Sequence, residues 1–526
     1  MTQPPLDVAP DVHFSIQDAV DVAVHRRQLA IDDTTFERLE RSQSLMAQLR
    51  DQGDLVYGLT TGFGPLAAEN IDPAKARTLQ QNLIYHLCSG TGEPMEEPWV
   101  RAMLFCRVVS LCRGHSALRR QTLERVVAII NAGVTPRVPR YGTVGASGDL
   151  TPLAHAVLAM MGEADMLDGD SWRNGESLLK ELQLAPLELS DRDGLALVNG
   201  TAAMTGIALL ANARARRLLG WALGLSALFA ECMEARREAF DPRLAKLRGQ
   251  QGQQRITDRL HRWLADSRRL HGVSSPRSDA DDYPLGPLLQ DPYSIRCIPQ
   301  MLGSIDDALE YHATIVGREL NGINDNPTLV FGEDGGALHG GNFFGHPVAL
   351  SSDHLNQALI SAAILVERQI AGITDASRSP FPAFLQPHQP GLQSGVMGAQ
   401  VTASSLIAQL RSLSTPLSIQ SIPTNAGNQD INPMGTLAAL RSQEILTHLS
   451  KILAILAICT VQAKSLCSPD EQAAFASRSQ ALDEQLRNYF SPMSEDRPLS
   501  RDIDVIAEFL LETAPPLLTG DGTPST

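Results

Sequence analysis

Three short segments of the sequence carry the residues best suited to chemistry. Residues 142–155 read GTVGASGDLTPLAH, residues 57–64 read YGLTTGFG and residues 290–296 read QDPYSIR. By residue type alone, the first is a tight turn before a helix, with Asp149 or Thr151 as the helix cap. The second offers a phenol, which is a poor base at neutral pH unless positive charge or hydrogen-bond donors lower its pKa from about 10. The third offers a guanidinium, whose planar fork suits a carboxylate, although an isolated arginine is usually a solvated surface charge.

The first segment resembles the signature of the histidine, phenylalanine and tyrosine ammonia-lyases. In that family an Ala-Ser-Gly sequence cyclises: the glycine amide nitrogen attacks the alanine carbonyl, and two waters leave. The product is a methylidene-imidazolone ring whose exposed carbon comes from the serine. The residue types suit this reaction, because a glycine nitrogen is unhindered and the serine supplies the hydroxyl that is eliminated. No standard side chain is an electrophile, so a protein without a bound cofactor must make one.

The resemblance therefore implies that Ala146, Ser147 and Gly148 form this cofactor, with no metal and no external cofactor. It extends over roughly residues 57–466, with six separate blocks in the family's order. Chance agreement of one tripeptide is easy, whereas chance agreement of six ordered blocks is not.

The resemblance also assigns catalytic roles to the other two segments. Tyr57 corresponds to the base, and Tyr293 corresponds to a second proton donor or acceptor beside the electrophile. Arg296 corresponds to the residue that binds the substrate carboxylate bidentately. The loop after Tyr57 resembles a lid, whose glycines permit the closing motion that such loops need. The lid residues are Gly58, Thr60, Gly62, Phe63 and Gly64.

Five further residues are assigned to the substrate pocket by their match to family blocks. Asn199, in LVNGT, corresponds to an asparagine that hydrogen-bonds the ring or the substrate amine, although a helix N-cap is an alternative reading. The others are Asn326 in NDNP, Phe343 in HGGNF, and the pair Asn428 and Gln429 in NAGNQD.

Two positions in this resemblance discriminate between substrates. His86 and Leu87 form a His-Leu pair, as in bacterial tyrosine ammonia-lyases; histidine enzymes have Ser-His and plant phenylalanine enzymes have Phe-Leu. An imidazole can hydrogen-bond the phenol hydroxyl of tyrosine, whereas a phenylalanine side chain cannot. A satisfied helix histidine is the alternative reading of His86. Histidine enzymes have Glu where Gln429 stands, so both positions argue against histidine as the substrate.

The resulting hypothesis is a tyrosine ammonia-lyase that converts L-tyrosine to p-coumarate and ammonia. One alternative is a tyrosine aminomutase, which uses the same electrophile and returns the amine to the β-carbon. Phenylalanine or histidine ammonia-lyase activity remains a second alternative, and a non-catalytic helical assembly protein a third. The SSxMPxKxN loop of the related fumarases and aspartases is absent from the sequence.

Long helices must hold these loops in place. Residues 187–241 contain no proline and have apolar residues on nearly every helical face, which is typical of a buried helix. Further helical patterns cover residues 351–372 and 436–467. We therefore predict a mainly α fold with a long central helical bundle and a mixed N-terminal domain, as in histidases and fumarases.

The predicted domains are residues 1–187 with the lid and electrophile, 188–467 as the central helical bundle, and 468–526 as a helical segment and tail. Residues 274–292 are rich in Ser, Pro, Asp and Gly and predict a long loop. Residues 520–526 predict a disordered tail.

The bulk composition excludes several classes of function. The 526 residues carry a formal net charge of −15, which argues against nucleic acid as a partner because phosphate binding needs a basic patch. The seven cysteines are scattered without a CxxC pair, so neither a disulfide framework nor a zinc site is expected. The first ten residues do not resemble a signal peptide, and residues 452–463 are too short an apolar run to span a membrane. A cytoplasmic protein is expected.

The expected assembly is a homotetramer. Long apolar helices with little polar face need partners beyond one chain, and the family resemblance implies a tetramer with dihedral symmetry. It also implies that each site draws on three subunits, with Tyr57, Arg296 and Gln429 contributed by different chains.

Overall fold

The computed structural model describes residues 3–272 and 290–515. The greater part of the predicted loop at 274–292 and the predicted tail at 520–526 lie outside these residues. The described chain is mainly helical with few strands, so the predicted fold class is confirmed. The helices α1 to α19 are Ile16–Ala23, Asp33–Asp51, Ala76–Leu87, Glu97–Cys112, Arg120–Asn131, Leu150–Met160, Gly175–Glu181, Asp193–Val198, Ala202–Cys232, Pro242–Arg248, Gln251–Trp263, Tyr293–Arg296, Ile298–Leu320, His346–Thr374, Met397–Ser412, Gly435–Ser465, Pro469–Gln472, Ser477–Leu486 and Ser500–Glu512.

The strands are short and form small sheets. Within the described residues, the strands β1 to β9 are Leu6–Val8, Leu29–Ile31, Thr91–Pro94, Thr135–Pro136, Pro139–Tyr141, Asp165–Asp168, Ser171–Asn174, Thr328–Val330 and Gly336–Leu338. Strand β1 pairs with β2 in parallel, whereas β3 with β5 and β8 with β9 form antiparallel pairs. Strands β4, β6 and β7 form one antiparallel sheet.

The chain divides into two compact units that do not follow the sequence order. The first unit comprises Met1–Ala213, His312–Asp353 and Pro416–Ser442. The second unit comprises Arg214–Tyr311, His354–Thr415 and Gln443–Thr526. Sequence-distant segments are thus gathered within each unit.

The core of the first unit is built around α4. Its residues from Trp99 to Cys112 are all buried, because apolar side chains occupy every face of the helix. Helix α1 packs against it and is fixed at its start by a capping box, in which the Ser15 and Asp18 side chains bond each other's backbone N–H groups. Helices α3, α6 and α8 pack against one another and complete the layer that carries the candidate site.

The second unit contains buried polar groups that are individually paired. The Lys464 ammonium lies 2.7 Å from the Asp483 carboxylate, and both side chains are buried. The buried Glu231 carboxylate accepts a hydrogen bond of 2.6 Å from the backbone N–H of Ala476. Such pairing offsets the desolvation of the charges.

Helix α16 has the length and hydropathy of a membrane-spanning helix. It is the one such helix in the described part of the chain, and 78% of its most apolar window is buried inside the protein. Helices that are apolar all round and buried are also the core helices of globular proteins.

Candidate active site

The Ala-Ser-Gly turn of the first unit is folded tightly by its backbone. Ala146 and Gly148 are paired with each other, and Gly148 is also paired with Gly200. Gly148 has a φ of +70°, and a Cβ added there would lie 2.2 Å from the Gly200 carbonyl oxygen. Only glycine fits this position. The turn therefore holds the Gly148 backbone beside Ala146, which is the arrangement that a cyclisation between these residues requires.

The residue after the turn is a buried acid. Asp149 is fully buried, and burial raises the pKa of its carboxyl to about 6. The carboxylate accepts a 2.8 Å hydrogen bond from the Met204 N–H, in the first turn of α9, and another from the Thr436 hydroxyl. Asp149 occupies the N-cap position of α6, which is one of the two cap positions that the sequence predicted, but its side chain makes no capping hydrogen bond there. It stabilises the start of α9 instead, where a helix dipole favours negative charge.

Gln429 lies directly against the turn. Its amide nitrogen donates to the Ser147 hydroxyl oxygen at 3.0 Å, and its amide oxygen accepts from the Thr424 hydroxyl at 2.6 Å. This contact lies within one chain, so the turn and Gln429 come from the same chain in this arrangement. The neighbouring Asn428 is exposed, and its side chain has no hydrogen bond to any described residue.

The lid tyrosine is bonded to its own loop. The Tyr57 phenol oxygen accepts from the Gly64 N–H at 2.8 Å, and its ring meets Phe63 edge-on with centroids 6.0 Å apart. Burial raises the pKa of Tyr57, and the Gly64 N–H and the charge of Arg192 oppose that rise without cancelling it. In this arrangement the phenol is a weaker acid than free tyrosine, which is the opposite of the shift that a base at neutral pH needs.

The remaining lid residues close the loop on itself and on α3. The Thr60 hydroxyl accepts from the Val56 N–H at 2.9 Å, and the Gly62 N–H donates to the Glu69 carbonyl at 3.0 Å. The Gly58 carbonyl accepts from the buried Gln80 amide at 2.9 Å, which ties the lid to α3.

Asn199 ends α8 and faces a buried network. It is the C-terminal cap of α8, so the alternative reading as an N-cap is wrong. Its amide nitrogen donates to the Asn326 carbonyl at 2.8 Å and to Asp325 at 3.2 Å, while its amide oxygen is buried without a hydrogen-bond partner. Arg192 and Asp325, both fully buried, form a bidentate ion pair at 2.8 and 3.0 Å that supports this loop.

The other two pocket residues of the first unit lie near this network. The Asn326 side-chain oxygen accepts from the Gly340 N–H at 2.9 Å, so it holds the loop that leads to Phe343. Phe343 is half-buried. The buried amide oxygen of Asn199 therefore has unused capacity to accept a hydrogen bond among the described residues.

His86 and Leu87 occupy the last turn of α3. Leu87 is half-buried against the core, whereas His86 is exposed, with its Nδ1 3.1 Å from the Asn82 carbonyl oxygen. Helix α3 packs on α6, and the Gly90 N–H donates to His155 of α6 at 3.1 Å. The end of α3 is thus anchored to the helix that directly follows the electrophile turn.

Tyr293 and Arg296 lie together in the second unit. The Arg296 guanidinium stacks over the Tyr293 ring at 4.6 Å and donates to the Gln290 side chain at 2.7 Å. Its buried Nε has no hydrogen-bond partner, and Tyr293 is 69% exposed. The guanidinium therefore retains donors for a carboxylate. No group of three or more His, Cys, Asp or Glu side chains in residues 3–272 and 290–515 could hold a metal ion.

Several residues that support the site could not be identified from the sequence. Arg192, Asp325, Gln80 and Thr424 position the motif residues but do not themselves carry the chemistry. The only sequence signal was that Asp325 lies inside the matched NDNP block and that Thr424 directly precedes the NAGNQD block.

Comparison with known proteins places this site in a family. The model of the aromatic amino acid lyase family matches residues 14–488. A tyrosine ammonia-lyase of Cereibacter sphaeroides is 44% identical over 98% of this chain and 99% of its own length. A histidine ammonia-lyase of Symbiobacterium thermophilum is 36% identical over 95% of each chain. The solved structure of a tyrosine aminomutase from Streptomyces globisporus matches with a TM-score of 0.90 at 30% identity, over 96% of this chain and 97% of that one.

The fold and the site therefore define a carbon–nitrogen lyase acting on amino acids. The chain belongs to the aromatic amino acid lyase family, as the resemblance of its motifs indicated.

Proposed function

We propose that this enzyme is a tyrosine ammonia-lyase, which eliminates ammonia from L-tyrosine to give p-coumarate. The observation that carries the proposal is the presence of His86 at the end of α3, anchored to the helix that follows the Ala146-Ser147-Gly148 turn. The 44% identity to a tyrosine ammonia-lyase supports the same substrate.

We propose further that the turn matures to methylidene-imidazolone. The positive φ of Gly148 and the pairing of Gly148 with Ala146 fit this ring, because the attacking nitrogen and its target carbonyl carbon belong to those two residues. When formed, the ring supplies the electrophilic carbon that no standard side chain offers.

Residues of this sequence, contributed by different chains of the proposed tetramer, then bind and orient the amino acid. Arg296 has free guanidinium donors for the carboxylate. The unpartnered amide oxygen of Asn199 is a hydrogen-bond acceptor for the ammonium group. Tyr57 takes the substrate proton, and the hydrogen bond from the Gly64 N–H favours the phenolate that this step needs, because it lowers the pKa of the phenol.

An apolar surface beside Gln429 supports a homotetramer. Ile419, Ile422 and Ile431 are 73%, 62% and 63% exposed, and they lie on the segment of the first unit that carries Gln429. Exposed apolar residues grouped on one segment favour a protein interface. In the proposed tetramer, other subunits complete each site. Light scattering at assay concentration should give four chains; an active monomer would contradict the proposal.

A tyrosine aminomutase is the second candidate, because a solved enzyme of that activity shares the fold with a TM-score of 0.90. Chromatographic product analysis after separate incubation with tyrosine, phenylalanine and histidine discriminates the candidates. The lyase gives p-coumarate and ammonia from tyrosine. Accumulation of β-tyrosine would favour the aminomutase, and a product from histidine alone would overturn both.

The substitution His86→Phe tests the assignment of tyrosine. It removes the group that pairs with the substrate hydroxyl and supplies an apolar ring of similar shape. Leaving a buried polar group unpaired costs about 1–3 kcal/mol, so we expect kcat/KM to shift from tyrosine toward phenylalanine by roughly tenfold to a hundredfold. A variant that keeps the wild-type preference would show that His86 is not the selector.

A further inference from the structure

We propose that a cavity beside the lid, between α2 and the start of α5, binds a small organic anion with an apolar body and slows turnover through the lid. The cavity has a volume of about 480 Å³ and lies entirely within the first unit. Cavities of this size commonly hold small-molecule ligands. None of the residues assigned to the amino-acid site lines it, so it is a second site with an occupant of its own.

The buried part of the lining is apolar. Met46 of α2, Leu59 of the lid and Ala117 line the cavity, and all three belong to one small cluster of buried apolar residues. Ala47 of α2 adds a small side chain that leaves the space open. An apolar ligand body is therefore removed from water here, which favours binding.

The charged part of the lining is mainly basic, with four arginines against the two acids Glu40 and Asp191. Arg50 and Arg120 each use Nε in an ion pair with an acid of their own helix, at 3.1 and 2.9 Å, and neither of those acids lines the cavity. The Nη groups of both arginines have no hydrogen-bond partner among the residues that the structure describes. They therefore retain donors for a carboxylate, and the excess of positive charge favours an anion.

A buried donor also lines the cavity. Arg192 is fully buried and spends its Nη groups on Asp325 and on backbone carbonyls, whereas its Nε has no hydrogen-bond partner among the described residues. Buried polar groups are nearly always paired, so such a donor is where a ligand or an ordered water is expected.

An occupant of this cavity contacts two supports of the amino-acid site. Leu59 stands two residues after Tyr57 in the lid. Arg192 holds Asp325, whose carboxylate accepts a hydrogen bond of 3.2 Å from the Asn199 amide. A ligand packed on Leu59 holds the lid in its present arrangement, and a lid that must move in each turnover then moves less readily.

Calorimetric titration of the purified full-length enzyme tests the site with three probes of one shape. Naphthoate is the anion, naphthamide is its neutral counterpart and naphthylmethylammonium is the cation. We expect naphthoate to bind roughly tenfold or more tightly than the amide, because charge-assisted hydrogen bonds are lost in the amide. The cation should bind more weakly still. The proposal is overturned if either the amide or the cation binds as tightly as naphthoate.

Two pairs of variants localise the binding. Ala47→Trp fills the cavity and should abolish naphthoate binding, whereas Gln48→Trp, at the neighbouring exposed position of α2, should retain it. Arg120→Gln should weaken naphthoate roughly tenfold without changing the amide, and Arg125→Gln on the same helix is its control. Unchanged binding in Ala47→Trp, or an equal loss in Gln48→Trp, would overturn the proposal.

Steady-state kinetics distinguish this site from the amino-acid site. Naphthoate should lower kcat, and excess amino acid should not restore it, since the two ligands bind at different places. The inhibition should vanish in Ala47→Trp. Complete relief by excess amino acid would put the probe in the amino-acid site and refute the second site. The assay works with whichever aromatic amino acid the enzyme converts, so a failure of the tyrosine assignment is distinguishable from a failure of this proposal.

Discussion

The electrophile turn and the lid loop, both in the first unit, are held in opposite ways. The turn is fixed from outside by distant residues: Gly200 pairs with Gly148, and Met204 and Thr436 bond Asp149. The lid is closed mainly by its own residues, with Tyr57 bonded to Gly64 and Gln80 as its anchor on α3. In the proposed function, a turn that reacts with itself benefits from rigid confinement, whereas a lid that closes over a substrate benefits from contacts that it can exchange.

The largest effect should come from Ser147→Ala. The variant has no hydroxyl to eliminate, so the chain should not lose the mass of two waters, and turnover should fall on the order of a thousandfold or more. Intact-mass spectrometry and a tyrosine assay measure both. Ser44→Ala, on the surface-exposed face of α2, is the control and should retain the mass loss. A wild-type chain of unmodified mass with full activity would refute the self-made electrophile.

Tyr57→Phe should separate the two regions. Loss of a general base typically lowers the rate roughly a hundredfold to ten-thousandfold, but the turn does not depend on the phenol and should still lose two waters. The exposed Tyr141 provides the control Tyr141→Phe, which should change neither quantity. An unmodified mass in Tyr57→Phe would mean that the lid takes part in maturation, and the contrast between the regions would not hold.

The smallest effect concerns the pH dependence of stability. The folded-state pKa of Asp149 is raised from 3.8 to about 6, so the folded chain binds a proton more readily than the unfolded chain. The associated stability is present below pH about 4 and is lost as the pH rises through about 6, by at most about 3 kcal/mol.

The variant Asp149→Asn cannot titrate at this position, so the wild type should gain stability relative to it as the pH falls from 7 to 4.5. Thermal unfolding at both pH values measures this, with the exposed Asp170→Asn as the control. A difference in melting temperature that does not depend on pH would show that Asp149 is not the buried titrating group of the turn.

The long helices could be predicted from the periodicity of their apolar residues, whereas the segments that contact one another could not. The patterns at 351–372 and 436–467 correspond to α14 at His346–Thr374 and α16 at Gly435–Ser465, since an apolar helix is a local property of the sequence. The contact between Gln429 and Ser147 joins residues 282 positions apart. Its residues were found by their motifs, but its formation within one chain was not, because no local pattern encodes which segments meet.

The buried ion pair between Arg192 and Asp325 could likewise not be predicted from the sequence. The two residues are 133 positions apart, and although Asp325 lies inside the matched NDNP block, no local pattern indicates that it pairs with Arg192. Folding brings Arg192 and Asp325 together beside Asn199. Desolvated charges are stable only where folding provides a partner for them.

The hydrogen bond from Gln429 to Ser147 can exist only before the proposed maturation. Its acceptor is the hydroxyl oxygen that departs as water, so the precursor and the mature enzyme differ at this amide. Thr424 still holds the other end, and the NH2 group stays aimed at the same place. The serine hydroxyl thus occupies, before maturation, the position of a substrate group. The proposed reaction that creates the reactive carbon removes this hydroxyl and leaves the Gln429 NH2 group free to donate to the first molecule of substrate.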